Sequence, residues 1–483
     1  MNDKIIVRFA PSPTGFLHVG GLRTALFNYL FAKSQGGNFI LRIEDTDRER
    51  IVENASENLI HSLQTTGLDY DEGPHKNGTN TPYFQSERLE NYNKYANELL
   101  DSNKAYRCFC STDELDKMRS EQKLRKLQTR YNGTCRKLRP DVIKQYLIEK
   151  RPYVIRMKID YTRLEVKFND IIRGAVSFKS SQLEDQVIMK SDGYPTYHLA
   201  NVVDDKLMGV THVIRGEEWL PSTPKHVLLY EHLGWKPPKL AHLPLLLNPD
   251  KSKLSKRQGD VATEDFLRKG YLPEALINFI ALLGWNNGDE REIYSMQELI
   301  ETFTLERVGK SGAVFDVQKL DWMNKHYIAQ LSIESLAEKI KPYLTERHKD
   351  LPNNRLIQAL EIVRGGLTTL AGVNEKLDVI VQSSVEDLNT DLLQIVTSEK
   401  SKEVFKSYLD VASQDNEAWS DETFMSIMKK TQKSSGIKGK ELWIPIRIAL
   451  TGDKDGPELP AVANYLGKDK CSDKISKYIH IND

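Results

Sequence analysis

The first apolar run, KIIVRFA at 4–10, has the β-branched density of a short strand, and the PSPTG that follows breaks it. From Gly20 onward, Leu22, Ala25, Leu26, Tyr29 and Leu30 recur at intervals of three and four, which predicts a helix with one apolar stripe, stopped by QGG at 35–37. NFILRIEDTD at 38–47 predicts a second strand that runs into acidic and turn-forming residues. Strand, loop, helix and strand in this order form a βαβ unit with a right-handed crossover and a parallel sheet. Ligands of such sheets sit beyond the strand C-termini, where Arg8, Ser12, His18 and Glu44 would converge. Past residue 257 the pattern changes to helices joined by short polar loops. LPEALINFIALLGW at 272–285 predicts a buried helix that opens near Pro273 and stops at Gly284.

Composition adds limits. The chain has 483 residues, of which 39% are hydrophobic, enough for about three ordinary folded domains. Its most apolar run is too short and too interrupted to cross a bilayer, and the N-terminus has no signal-peptide pattern, so a cytoplasmic protein without membrane contact is expected. Lys+Arg and Asp+Glu are both 68, so any nucleic-acid contact must come from local basic surfaces. One such surface is expected at Lys429, Lys430, Lys433, Lys438 and Lys440. Four cysteines do not make a disulfide scaffold in so long a chain. Cys108, Cys110 and Cys135 are clustered, which favours a metal or local redox role, whereas Cys471 reads as an isolated thiol.

In PSPTGFLHVGG at 11–21, Gly15 and Gly20 are spaced like the glycines of a phosphate-cradling loop, yet Gly21 and Leu22 stand where lysine and Ser/Thr would follow. A helix N-terminus with small residues and a histidine still suits an anion, because free N–H groups and the helix dipole point at it. This stretch resembles the His-Ile-Gly-His signature region of class I aminoacyl-tRNA synthetases in the form found in glutamyl-tRNA synthetases, and LRIEDTD is similar to the segment that follows there. Gly21 occupies the place of the signature's second histidine. The resemblance implies that the missing cation comes from a Lys-Met-Ser-Lys-Ser-like loop, matched by Lys253-Leu254-Ser255-Lys256-Arg257.

SDGYPTYHLANVVDD and THVIRGEEWLPSTPKH also resemble that family's second-half active-site segments. By this likeness Arg8, Ala10, Ser12, Glu44, Tyr197, Asn201 and Arg215 would line a glutamate site. Thr14, His18, Gly20, Glu218, Trp219 and Lys256 would contact ATP, and His18, Lys253 and Lys256 would carry catalysis. Arginine suits carboxylates because its planar fork donates two parallel hydrogen bonds; Arg8 and Arg215 are the candidates, with either end of glutamate open to either. The implied reaction joins glutamate to AMP, with ATP and Mg²⁺, and then transfers it to the 3′ end of tRNA-Glu, with bound tRNA needed for the first step. A glutaminyl-type relative and a catalytically silent RNA-binding paralogue are the alternatives; the helical tail argues against the first and the intact His18, Lys253 and Lys256 against the second.

The cysteine segment is similar to the zinc-bearing acceptor-stem insertion of some glutamyl-tRNA synthetases. Cys108, Cys110 and Cys135 would supply three ligands of one structural Zn²⁺, and because Lys137 stands where a histidine would complete the set, Tyr131 or water would be the fourth. Buried thiols without metal are the simpler reading of the same residues. Between the cysteines, Ser111 and Glu114 form a capping box, followed by a helix rich in Lys and Arg.

FDVQKLDWMNKHYI and GIKGKELWIPIRIALTG extend the likeness over nearly the whole chain. The fold class expected is α/β, with a Rossmann-like parallel-sheet catalytic domain at 1–85 and 191–245 and an acceptor-binding insertion at 86–190. A helical stem-contact domain at 246–330 and anticodon-binding subdomains at 331–385 and 386–483 would follow. A monomer with no DNA partner is expected.

Overall fold

The computed structural model describes residues 4–76, 78–254, 261–381 and 388–479. They form two compact units, Met1–Asp265 with Ile277–Asp316, and Phe266–Leu276 with Val317–Asp483.

The first unit opens with the expected βαβ. Strand β1 (Ile6–Phe9) pairs in parallel with β2 (Asn38–Leu41), and α1 (Val19–Ser34) crosses between them. Helix α1 is buried on more than one stripe: Arg23, Phe27 and Asn28 are enclosed along with Leu22, Ala25, Leu26 and Leu30, while Tyr29 is half-buried. The reason is tertiary. A second layer, ending in the helix Met296–Thr302, covers a further side of α1, where Phe27 meets Phe303 edge to face at 5.1 Å. Asn28 is tolerated there because its amide donates to the carbonyls of Thr24 (2.8 Å) and Ile214 (3.1 Å).

Helix α2 (Ala55–Thr65) and α3 (Leu89–Asp101) lead into an antiparallel sheet of β3 (Ala105–Cys108), β4 (Val154–Met157) and β7 (Val187–Met189). Between β3 and β4 lie α4 (Thr112–Leu124) and α5 (Pro140–Ile148). The capping box at Ser111 is formed in both directions: Ser111 Oγ accepts from the Glu114 N–H (3.2 Å), and the Glu114 carboxylate from the Ser111 N–H (2.8 Å).

The parallel core resumes with α6 (Tyr197–Leu207), β8 (His212–Gly216), α7 (Thr223–His232) and β9 (Lys239–Leu243). β8 pairs in parallel with β9, which is joined to β5 (Glu165–Asp170), and β5 pairs antiparallel with β6 (Gly174–Lys179). Thr211, just before β8, ties this sheet to β1: its N–H donates to the Ile6 carbonyl (2.9 Å), and its Oγ1 accepts from the Ile6 N–H (3.0 Å). The strand ends of β1 and β8 therefore open on the same side. A short parallel pair, β10 (Leu246–Leu247) with β11 (Ala313–Val314), follows.

The apolar run at 272–285 folds as a helix over Pro273–Ala281; it ends before Gly284, which takes a left-handed φ of 99°. The second unit is helical, from Val317–Gln330 to Lys468–Ser476, around one apolar core that includes Phe405, Tyr408, Phe424, Ile446 and Val462. Lys429, Lys430, Lys433, Lys438 and Lys440 are all exposed in it, and Lys430 is paired with Asp415 at 2.8 Å. Among the described residues no single helix is long and apolar enough to cross a membrane.

Candidate active site

A cavity of about 460 Å³ lies at the C-terminal ends of β1 and β8. Its lining includes Arg8, Ala10, Ser12, Glu44, Tyr197, Asn201 and Arg215, the seven residues expected to meet an amino acid, and also Thr14, His18, Gly20, Glu218 and Trp219. β1 supplies Arg8, and the loop after it supplies Ala10 to His18. That loop is fixed by two backbone bonds, from the Glu44 N–H to Pro11 O (2.9 Å) and from the Val52 N–H to Pro13 O (3.0 Å). Helix α6 brings Tyr197 and Asn201, and β8 ends in Arg215 and Gly216.

Charge in the cavity wall is tightly organised. Arg8 makes two bonds to Asp205, from Nε (3.0 Å) and Nη2 (3.3 Å). Arg42, with no exposure, donates to Asp205 (2.8 Å) and Glu44 (3.2 Å), and Arg88 holds Asp204 at 2.7 Å. Burial raises the Asp205 carboxyl, but Arg8 and Arg42 together overcome it and keep it below the usual range. Glu44 goes the other way. Burial pushes its carboxyl up, against the pull of Arg42 and Arg8. Glu44 Oε1 accepts from Arg42 and from Asn201 (3.2 Å each), while Oε2 has no protein partner among the described residues. An ammonium group would satisfy that oxygen. Among the described residues Arg215 pairs with no carboxylate; its guanidinium donates to Tyr197, Thr223, His226 and His242.

His18 caps α1, its Nδ1 accepting from the Gly20 N–H at 2.9 Å. In a neutral imidazole that acceptor role puts the proton on Nε2, so the ring can donate toward an anion. A second cavity of about 380 Å³ adjoins this wall, lined by His18, Gly20, Arg23, Gly216, Glu218 and Lys253. Burial lowers the Arg23 guanidinium to about 10, with Glu218 and Glu217 opposing. Beyond Lys253, the chain is described again from Val261. There the Val19 N–H donates to Val261 O (2.9 Å) and the Thr263 N–H to Leu17 O (2.8 Å). Both flanks of the 255–260 segment are thus seated beside His18. Lys256, expected to reach ATP, lies outside the described residues.

Residues 4–322 match the catalytic-domain profile of the class I tRNA synthetases (E and Q), and residues 335–479 an anticodon-binding domain. Glutamate–tRNA ligases are similar along the whole chain. That of Finegoldia magna is 45% identical over 99% of this chain and 100% of its own length, and that of Chloroherpeton thalassium is 48% identical over 99% and 98%. The chain belongs to the glutamate–tRNA ligase family of class I synthetases. A solved glutamate–tRNA ligase from Elizabethkingia meningosepticum, in complex with its amino acid, superposes with a TM-score of 0.91 at 37% identity, with all of both chains covered. The enzyme of Elizabethkingia anophelis gives 0.90 at 37%, covering 99% of this chain and 100% of its own. The parallel-sheet catalytic domain followed by a helical anticodon-binding domain is the arrangement of this family.

In this ligase-family chain the three clustered thiols converge, with the Sγ atoms of Cys108, Cys110 and Cys135 all within 4.8 Å of one another. Cys110 and Cys135 are 3.5 Å apart, and Tyr131 Oη stands 3.4 Å from Cys108 and 3.8 Å from Cys110. Ligands about 2.3 Å from a tetrahedral zinc lie about 3.8 Å apart, so this donor set fits a zinc ion. Contact with Cys135 outweighs burial and draws the Cys108 thiol well below its ordinary range, while Cys135 is pushed up. The same phenol accepts from the Cys135 N–H (2.8 Å) and stacks under Arg156 at 4.0 Å.

The motif-based reading missed the residues behind the cavity wall. Arg42 is a charge inside the apolar run NFILRI, and Asp204 and Asp205 stand in the last turn of α6, after Asn201. A charge embedded in an apolar strand is itself a sign of a buried pair. Asp170, His226 and His242 had no local signal; only the packing of β5, α7 and β9 around β8 gathers them, with His226 and His242 on Arg215 and Asp170 on His242.

Proposed function

We propose that the chain attaches glutamate to the 3′ end of tRNA-Glu by way of a glutamyl-adenylate, with Arg8, Ser12, Glu44, Tyr197, Asn201 and Arg215 receiving the amino acid and His18, Gly20, Glu218, Trp219, Lys253 and Lys256 the nucleotide. The observation that carries this reading is one continuous wall that joins Glu44, with its unpartnered oxygen, and Arg215, with no carboxylate, to the His18 helix terminus.

Glu44 Oε2 takes the α-ammonium. Arg215 takes the side-chain carboxylate, because that group keeps its full charge through the reaction, whereas an arginine clamp on the attacking α-carboxylate would weaken it as a nucleophile. One α-carboxylate oxygen attacks the α-phosphorus of ATP, the bond to the bridging oxygen of pyrophosphate breaks in line, and no protein nucleophile is needed. Mg²⁺ bound with ATP supplies charge neutralisation on the phosphates. The chain's part is positioning: the His18 Nε2–H, the N-terminus of α1 and Lys253 face the charge that accumulates as pyrophosphate leaves, a role that the motif likeness also gives to Lys256. Trp219, tilted against Tyr197 at 4.5 Å, closes the amino-acid side. The 2′-hydroxyl of the terminal adenosine of tRNA then attacks the carbonyl carbon of the mixed anhydride, the acyl–phosphate bond breaks, and AMP leaves.

Cys108, Cys110, Cys135 and Tyr131 would hold one structural Zn²⁺, which would cross-link β3 to the 131–135 turn of an acceptor-binding insertion at 86–190. A stem-contact domain at 246–330 and anticodon-binding subdomains at 331–385 and 386–483 would serve the tRNA, with the exposed lysines from Lys429 to Lys440 on the RNA-facing surface.

The test is aminoacylation of tRNA-Glu by the purified protein, with glutamate or glutamine and ATP, together with pyrophosphate exchange with and without tRNA. Glutamate-specific charging is expected, and exchange only when tRNA is present. Charging with glutamine, or none with either amino acid, would overturn the reading.

A further inference from the structure

Arg215 is only 5% exposed, yet among the described residues every group it hydrogen-bonds is neutral. Its Nε–H donates to His242 Nε2 (3.1 Å), Nη1 to Tyr197 Oη (2.8 Å) and to His226 Nδ1 (3.3 Å), and Nη2 to Thr223 Oγ1 (2.9 Å). The other two arginines lining the cavity, Arg8 and Arg50, and Arg42 and Arg88 behind it, each contact a carboxylate directly. A buried cation without a counter-charge is unfavourable unless something else supplies one. Here the fold keeps the cation and withholds the counter-charge.

The two histidines are held in the acceptor role by partners of their own. A ring nitrogen that accepts from Arg215 carries no proton, so the proton of neutral His242 is on Nδ1, where Asp170 Oδ2 receives it at 2.6 Å. Asp170 Oδ1 is fixed in turn by the N–H groups of Ile172 (3.0 Å) and Arg173 (2.8 Å). The same logic puts the proton of His226 on Nε2, which faces His198 Nδ1 at 3.0 Å. Burial, with Arg215 alongside, keeps His226 and His242 neutral. The carboxylate nearest through this network, Asp170, is one whole imidazole away from the guanidinium.

We propose that His242, oriented by Asp170, and His226, oriented by His198, are positioning residues that hold Arg215 through neutral acceptors alone, reserving its charge for the side-chain carboxylate of the amino acid and so setting the preference for an anionic over an amide side chain. This rests on the reading of the cavity as a glutamate site. A carboxylate at position 226 would give Arg215 the internal partner that Asp205 gives Arg8. The guanidinium would then be neutralised before substrate arrives, and an amide, which needs a donor and no charge, would compete.

His226→Asn and His226→Asp place an amide or a carboxylate oxygen near the Nδ1 position, so the pair isolates charge from shape. Charging of tRNA-Glu is measured for both with glutamate and glutamine, along with KM for ATP and the thermal unfolding midpoint. His226→Asn is expected to keep discrimination within about three-fold of wild type, and His226→Asp to lose about ten-fold or more of it through a raised KM for glutamate, with KM for ATP unchanged. Equal discrimination in the two variants overturns the proposal.

Asp170→Asn decides independently, including the case where His226→Asp does not accumulate as folded protein. Its amide N–H can face His242 Nδ1 and drive the proton to Nε2, against the Arg215 Nε–H, as tautomer-setting carboxylates do elsewhere. KM for glutamate should rise about ten-fold while KM for ATP stays unchanged; an unchanged KM for glutamate overturns the proposal. Wild-type protein that charges neither amino acid would instead remove the underlying reading, a result distinct from either variant's.

Discussion

Arg42 donates to Glu44 Oε1 at 3.2 Å from a position without solvent exposure, and in doing so turns the carboxylate so that Oε2 is left to the cavity. Burial raises the Glu44 carboxyl above its usual value even with Arg42 and Arg8 nearby. Below that raised value the group is protonated and no longer attracts an ammonium. KM for glutamate should therefore rise as pH falls through it, while KM for ATP does not follow. Glu44→Gln is expected to remove this pH dependence and to raise KM for glutamate by about ten- to a hundred-fold, the loss of one charge-assisted bond. Steady-state charging across pH checks both.

Arg42 also serves Asp205, and removing it strands buried carboxylates. Arg42→Met is expected to cost about 3–5 kcal/mol of stability in urea unfolding near neutral pH. Because Asp205 is held below its unfolded-state value, the stabilisation is complete above that value and is lost as pH falls through the lower folded one. The gap between wild type and Arg42→Met should narrow on acidification; a gap that stays constant would count against the pairing.

His18 caps α1 and lines the cavity, and in the proposed reading it also faces the nucleotide. Asparagine is a good N-cap but has no Nε2–H at that reach. His18→Asn should keep the unfolding midpoint and lower kcat by about a hundred-fold, whereas His18→Ala should lose a further ~1 kcal/mol of stability as well. Matching stability losses in both variants would argue against the cap.

The thiol cluster is tested by metal content. Protein purified without chelator should carry one zinc per chain by elemental analysis, and Cys110→Ser should lose most of it. Chelation should lower the unfolding midpoint of the wild type and leave Cys110→Ser unmoved. Zinc-free wild type with an unchanged midpoint would leave the thiols as buried apolar groups.

Local order was legible to the degree that it is local. The βαβ start, the Ser111–Glu114 box and the helical second half follow from periodicity and capping chemistry. The seven residues expected at an amino-acid site came from motif likeness, and the structure places them around one cavity. What periodicity misjudged was the extent of burial. α1 looked like a one-sided helix, but Arg23 meets Leu283 and Pro244, Phe27 meets Phe303, and Asn28 meets Ile214, all far along the chain. The helix over Pro273–Ala281 ended earlier than its apolar run suggested, since Leu282 and Leu283 pack without continuing the helix.

The order of residues along the chain determined which groups could cap, turn, pair within a helix face or ligate a metal, because those relations span a few positions and depend on side-chain type. Tertiary structure alone decided which charges meet. That Arg8 is neutralised by Asp205 while Arg215 is held by His226 and His242 depends on β8, β9 and α6 being neighbours in space. Electrostatic interaction falls with distance through the folded medium and takes no account of separation in sequence.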